Sequence, residues 1–314
     1  MIERMSGSTD DTMITPEEAF DFVRDALCIP APSTKFEASP KDFLQDLLRA
    51  YFHHIPFQNL KNIATPHRKR HVPTVAEIKQ DILTDKIGGL CYQQNVFFYL
   101  LLQALGFDVT LIACDIEEPS DHAAVIVHNL TSEGSRHYAD VGNGNPYFCA
   151  VPFDFKDESP VYHESFLRFK FSRQDDVIFC LHQVDGHPAK QTMEAFPVTD
   201  GWYRFIRINF KRGVEVAHFK PSMTPRYVSI DDMPRHFFLT SLRCMAFPDG
   251  RFVCISNTTL LIENEPGCIS KSYFRSRKEI KEAFAKYFPQ ISQSMLDEAM
   301  NDDYVKLDYK KGIL

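Results

Sequence analysis

The sequence predicts an α+β protein: helices first, a strongly curved antiparallel sheet or β-barrel second, and a smaller unit of strands and helices last. Three observations carry this. Up to Gly106, apolar residues recur at helical spacing behind recognisable caps. Beyond it, short β-rich runs alternate with Pro, Gly, Asp and Ser. Past residue 240, two strand-like runs flank the turn Pro248-Asp249-Gly250 and capped helices follow. At 314 residues the chain exceeds what one core comfortably serves, so two or three domains sharing an extensive interior are expected.

Thr15-Pro16-Glu17-Glu18 supplies an N-cap, a first-turn proline and a capping-box glutamate ahead of "AFDFVRDAL". Ser39-Pro40 opens a second helix the same way, with Phe43, Leu44, Leu47, Leu48, Tyr51 and Phe52 as one buried stripe. In "TVAEIKQDIL", Thr74 and Glu77 repeat the capping spacing. A fourth helix should begin near Cys91 and stop at Gly106; it is apolar nearly all round, hence central. The runs "DVTLIAC", "HAAVIVHN", "SRHYADV", "ESFLRFKF", "VIFCLHQ" and "GWYRFIRI" read as strands of the curved sheet. Residues 211–235 show no period and read as an interdomain connection. "LTSLRCMAF" and "RFVCISNTTLLI" form the late strands; Ser276 and Glu279 cap "RKEIKEAFAKYF", and "SQSMLDEAM" is a last short helix.

Composition narrows the function classes. With 44% hydrophobic residues, 25% charged and 27 phenylalanines, this is a globular chain with an aromatic-rich core. Its first dozen residues are polar and partly acidic, unlike a signal or transit peptide, and "VFFYLLLQALGF" is too short to span a bilayer. A formal charge of −7 offers no long-range attraction to nucleic acid or anionic lipid. The eight cysteines contain no Cys-x-x-Cys pair and no zinc-like Cys/His spacing, so no metal is expected; they read as free thiols in a reducing compartment, the cytosol by default.

One of them, Cys91 in "KIGGLCYQQN", stands behind two glycines and at the start of the central helix. It is either a small apolar filler or a nucleophile. At a helix N-terminus the unpaired amides and the dipole favour thiolate, and Gly88 and Gly89 would leave space beside the sulfur for a substrate carbonyl. A thiolate also needs a base, and that base an orienting group. His122 opens one strand and Asp140 closes the next, with a turn at "TSEGS" between them, so an antiparallel hairpin brings Asp140 back toward His122 in a register the sequence leaves open. His128 and His137 are rivals in the same hairpin.

Taken together, the flanking strings resemble the arylamine N-acetyltransferase family. That family carries Arg-Gly-Gly-x-Cys-x-Glu/Gln-x-Asn at its nucleophile, where this chain has Ile87-Gly88-Gly89-Leu90-Cys91-Tyr92-Gln93-Gln94-Asn95. "HHIPFQNL" looks like its Ile-Pro-Phe-Glu-Asn-Leu loop, "YLLLQALGFDVTLIACDI" is similar to its helix-Gly-Phe-strand passage, "DHAAVIVHN" to its histidine strand and "YADVGNG" to its Asp-x-Gly-x-Gly turn. Order and spacing agree over about residues 15–150; beyond that the likeness thins, though "PDGRFVCISNTTLLI" looks like the third-domain hairpin. The resemblance implies a helical bundle (1–107), a β-barrel (108–225) and an α/β lid (226–314), with a papain-like triad of Cys91 as nucleophile, His122 as acid/base and Asp140 as its orienter. It implies ping-pong transfer from acetyl-CoA or another short acyl-CoA, as co-substrate, to an aromatic amine or hydrazine. No metal, nucleic acid or membrane takes part in that chemistry.

Several positions depart from the family pattern. Ile87 and Gln58 stand where relatives carry an arginine and a glutamate that form a salt bridge; losing both together is compensated, because losing one alone strands a charge. An Arg at 87 alone should therefore reduce stability. Asn143 replaces a phenylalanine that lines the amine pocket of relatives, which weakens stacking on a flat ring. Arg235 and His236 stand within the family's Pro-x-Ser-x-Phe string near the CoA site, histidine in place of serine, and could pair with an acyl carboxylate as in malonyl-CoA. Phe57 is a candidate pocket wall or a core residue. These changes, and a length beyond the compact bacterial relatives, point to a divergent branch of fungal type. Two other classes share the residue types: a thiol hydrolase or transglutaminase-like enzyme, and a binding protein with a disabled site.

Overall fold

The computed structural model describes residues 13–185, 198–228 and 237–309. Helix α1 (Pro16–Asp25) carries the expected capping box: the Glu18 amide donates to Thr15 Oγ1 and the Thr15 amide to Glu18 Oε2. Two short helices were not legible in the sequence, α2 (Pro32–Ala38) and α4 (Leu60–Ala64); neither has a side-chain cap, and packing rather than local signal holds them. Between them α3 (Pro40–His54) buries all six residues of the predicted stripe. Strand β1 is only Phe57–Gln58. Helix α5 (Val75–Lys79) ends in one wider turn over Gln80–Thr84, closed by Asp85 N–H to Gln80 C=O, which turns Asp81 and Ile82 inward. Helix α6 (Cys91–Ala104) is buried along most of its length, as its all-round apolarity requires.

The middle of the chain forms one antiparallel sheet. Its strands are β2 (Val109–Asp115), β3 (His122–His128), β4 (Arg136–Ala139), β5 (Val151–Pro152), β6 (Tyr162–Glu164), β7 (Leu167–Gln174), β8 (Val177–Gln183), β9 (Val198–Thr199) and β10 (Trp202–Gly213). The order is β5-β4-β3-β2-β10-β8-β7-β6, with β9 alongside β10, so the sheet is a half-barrel whose end strands do not pair with each other among the described residues. Helix α6 lies against β3 and β2, and one large core runs from the helices into the sheet.

Much of the stretch read as a connection over 211–235 is structured. After β10, a short 3₁₀ turn and helix α7 (Lys220–Tyr227) bury Phe219, Met223 and Tyr227 in the main core. Pro221 and Pro225 hid the helical period there. Arg226 Nη2 donates to Asp121 Oδ2 at 2.8 Å in a buried ion pair, fastening α7 to the residue before His122.

The C-terminal part contains α8 (Phe237–Thr240), strands β11 (Arg243–Ala246), β12 (Val253–Ser256), β13 (Thr259–Glu265) and β14 (Cys268–Tyr273), then α9 (Arg277–Tyr287) and α10 (Gln293–Asn301). "RFVCISNTTLLI", read as one run, is two strands joined at Asn257-Thr258; Asn257 takes φ 49°, which asparagine tolerates. The sheet order is β1-β11-β12-β13-β14, so two residues from the first third form its edge. Leu60, Ile63 and Ile87 likewise join Leu242, Ile255 and Phe284 in a second core. The loop ahead of Cys91 is thus gripped from both ends of the chain.

Candidate active site

Cys91 is the first residue of α6, half-buried, where free amides and the helix dipole concentrate positive potential. The glycines before it serve the protein's own packing. A Cβ on Gly88, whose φ is 71°, would lie 1.8 Å from the Pro56 carbonyl oxygen, and one on Gly89 would lie 2.6 Å from the Gln93 side chain. The room expected for a substrate at those two Cβ positions is therefore filled by Pro56 and Gln93. Gln58 N–H donates to Gly89 C=O at 3.1 Å, linking the turn to β1. The Leu90 amide donates to Gln93 Oε1 at 3.2 Å, and Gln93 Nε2 donates to Asp81 Oδ2 at 3.1 Å. Lys61 completes this ion pair with Asp81, while Tyr227 OH donates to Gln93 Oε1 at 3.0 Å. Burial pushes the Asp81 carboxyl up, and the Lys61 ammonium opposes it.

His122 and Asp140 meet. Val125 pairs with Ala139 in the β3–β4 ladder, and this register carries Asp140, one residue past β4, to His122. His122 Nε2 lies 2.7 Å from Asp140 Oδ2, and both side chains are fully buried. The other ring nitrogen, Nδ1, has no hydrogen-bond partner, yet the Cys91 side chain is close enough to help hold the ring charged. Burial alone pushes the imidazole down; the Asp140 charge and hydrogen bond, reinforced by Cys91, more than offset it and raise its pKa to about 10. Burial likewise pushes Asp140 up, but His122 and donors from Asn95 and Gly142 bring it down to about 2. At neutral pH the pair is imidazolium and carboxylate. The rival histidines stand elsewhere: His128 bonds Thr110 Oγ1 at 2.8 Å, and burial, with Lys41 adding to it and Asp154 opposing it, lowers His137.

Asn95, one turn beyond Cys91, was quoted in the motif but given no role. Its Nδ2 donates to Ala123 C=O at 2.6 Å and to Asp140 Oδ1 at 2.8 Å, and its Oδ1 accepts from Val141 N–H at 2.9 Å. One amide thus ties the helix that begins at Cys91 to β3 and to the turn after β4. The signal in the sequence was a polar residue directly before the apolar run of a central helix; in the structure it is fully buried, and Gln93 and Gln94 beside it are buried too. Gly142 permits the close approach, because a Cβ there would stand 2.7 Å from Cys91 C=O and 2.6 Å from Asn95 Nδ2.

The remaining sequence candidates are distributed differently. Asn143 Nδ2 donates to Asp140 Oδ2 at 2.7 Å, so its amide turns toward the carboxylate. Phe57 is half-buried, bridged to Gly89 and paired with Met245. Arg235 and His236 lie outside the described residues. Ile87 is 4% exposed in the second core and Gln58 is 2% exposed, its Oε1 accepting from the Lys61 amide at 3.1 Å. All eight cysteines are free thiols. Among the described residues, no group of three or more His, Cys, Asp or Glu is arranged to hold a metal ion, and no helix is long and apolar enough to cross a membrane.

Comparison with known proteins gives a consistent picture. A family model described as N-acetyltransferase matches residues 42–292. The chain is similar to a probable arylamine N-acetyltransferase 2 of Dictyostelium discoideum, 31% identical over 106 residues that cover 31% of this chain and 34% of that protein. It is also similar to arylamine N-acetyltransferase 1 of Bos taurus, 28% identical over 121 residues covering 35% and 39%. The matched stretch therefore spans little more than a third of each curated relative. In fold, the chain is similar to the Mycobacterium marinum arylamine N-acetyltransferase solved in complex with CoA, with TM-score 0.69, 16% identity, and coverage of 90% of this chain and 98% of that one. The Nocardia farcinica arylamine N-acetyltransferase gives TM-score 0.71 and 17% identity, covering 94% and 96%.

Proposed function

We propose that this chain, which belongs to the N-acetyltransferase family that includes the arylamine N-acetyltransferases, moves an acyl group from an acyl-CoA thioester to an aromatic amine or hydrazine through an acyl-Cys91 intermediate. The observation that carries the reading is the buried His122–Asp140 pair at 2.7 Å, with Nδ1 left over on the side of the sulfur. Cys91 Sγ attacks as the thiolate, with the His122 imidazolium beside it, and forms a bond to the thioester carbonyl carbon. The C–S bond to CoA then breaks, and the departing sulfur takes the proton from His122 Nδ1. In the second half the amine nitrogen attacks the acyl-cysteine, its proton passes to the same nitrogen, and the Cys91 thiolate is released with the imidazolium restored. Splitting one transfer into two steps through a good leaving group lowers each barrier. Asp140 keeps the ring oriented and stabilises its charge throughout.

The M. marinum relative was solved with CoA, which supports a CoA thioester as donor for this chain too. Acetyl-, propionyl- and malonyl-CoA remain distinct donor hypotheses, the last resting on Arg235 and His236 in sequence alone. The test is intact mass after mixing the protein with each donor and no acceptor. A covalent acyl adduct mapped to Cys91 is expected, released on adding an arylamine. CoA release without an adduct and without need of an amine would instead assign a thiol hydrolase. An unmodified Cys91 with all three donors would overturn the reading.

A further inference from the structure

We infer that Asn143 is a positioning residue for Asp140, and that through this carboxylate it sets the pH range over which His122 keeps its charge. The inference rests on the acyl-transfer reading for its purpose but on geometry for its content. Asp140 accepts five hydrogen bonds. Oδ2 takes three, from His122 Nε2 at 2.7 Å, Asn143 Nδ2 at 2.7 Å and Tyr138 OH at 2.8 Å; Oδ1 takes two, from Asn95 Nδ2 at 2.8 Å and the Gly142 amide at 2.9 Å. A carboxylate offers about four lone-pair sites, so the donors on Oδ2 compete with one another. Each donor other than His122 draws on negative charge that would otherwise serve the imidazolium.

The orientation of the Asn143 amide follows from its other end. Asn143 Oδ1 accepts from the Asn145 amide at 2.7 Å, and only an oxygen can do that, so the nitrogen is the atom facing Asp140. Among the five donors Asn143 is also the one that can be altered with least damage. Asn95 clamps α6 to β3 and to the turn after β4, Gly142 donates from its backbone, and Tyr138 is buried against Phe153 and Phe171. Asn143 is half-buried on the turn.

The charged and titratable groups around the pair do not compete with this assignment. Burial raises Cys114 on β2, Tyr138 on β4, Cys180 on β8 and Tyr147, keeping all four neutral through the working range. Asp121, next to His122, is paired with Arg226, and Asp115 with Arg207. Cys91 is the remaining neighbour, and it acts on the His122 ring in the same direction as Asp140.

The test is the pH profile of Cys91 alkylation by iodoacetamide, read by intact mass, in wild type and Asn143→Leu. It uses neither acyl-CoA nor amine, so it separates this inference from the proposed activity. Removing the amide leaves Asp140 more basic and more fully committed to His122. The upper limb of the profile should move up by roughly half to one pH unit. Asn143→Ser, too short to reach the carboxylate, should shift it the same way and serves if the leucine variant does not fold. A folded variant whose profile coincides with wild type, while only its KM for an arylamine changes, would overturn the inference and return Asn143 to the role of a pocket wall. A wild-type profile no different from an ordinary thiol would instead overturn the proposed function.

Discussion

At the scale of single residues, the site is a problem in holding two opposite charges without water. His122 and Asp140 are both fully buried, and each would neutralise if left alone. Their mutual hydrogen bond and opposite charges keep them charged, and Asn95 and Gly142 further hold the carboxylate ionised. The linkage has a definite sign. The folded pKa of His122, about 10, lies above its ordinary 6.5, so its contribution to stability is complete below pH 6.5 and is lost as pH rises toward 10. Asp140, brought to about 2 from 3.8, contributes above 3.8 and loses that contribution as pH falls through 2. Thermal melts from pH 6.5 to 10 should therefore decline more steeply in wild type than in His122→Gln; parallel curves would show that the imidazolium does not stabilise the fold.

At the scale of elements, the important feature is how the start of α6 is secured. Its cap is assembled from its own Gln93 and from Asp81, Lys61 and Tyr227, contributed by three other segments. This network supplies a partly buried charge pair in a chain whose residues 58 and 87 are uncharged. Ile87 sits in an apolar core, where a guanidinium would have no partner. Ile87→Arg should lower stability by about 3–5 kcal/mol in denaturant unfolding. Adding Gln58→Glu should recover part of that loss, and an unchanged midpoint in the single variant would refute the compensation argument. Gly142 works at the same scale, letting the aspartate turn press against the first turn of α6 where a methyl group would collide with Cys91 and Asn95.

At the scale of the whole molecule, the chain ends where it began: the C-terminal sheet uses β1 as its edge, and the second core takes Leu60, Ile63 and Ile87 from the first third. Asn59 is the fastening. Its Nδ2 donates to Phe238 and Ser241 carbonyls at 3.0 and 2.7 Å, and its Oδ1 accepts from the Arg243 amide at 2.8 Å. Asn59→Leu leaves these backbone groups without partners and should cost about 2–4 kcal/mol. Hydrogen exchange should then quicken in β11 more than in the half-barrel; uniform exchange would show that the C-terminal sheet is held by its own core instead.

Helix caps, the stripe of α3 and the place of Cys91 at the head of α6 were legible in the sequence, because each depends on residues close together or on a local period of 3.6 or 2, whereas the grouping of Cys91, His122 and Asp140 was an expectation drawn from resemblance. Helices α2 and α4, the helix at 220–227 and the division of "RFVCISNTTLLI" were not, since packing between distant segments overrides weak or interrupted local patterns. Only the tertiary structure decided the register that brings Asp140 to His122, and the side on which Asn143 turns its amide. Those outcomes depend on which atoms meet across β3, β4 and α6, and hydrogen bonds of under 3 Å are fixed by three-dimensional contact that no one-dimensional spacing contains.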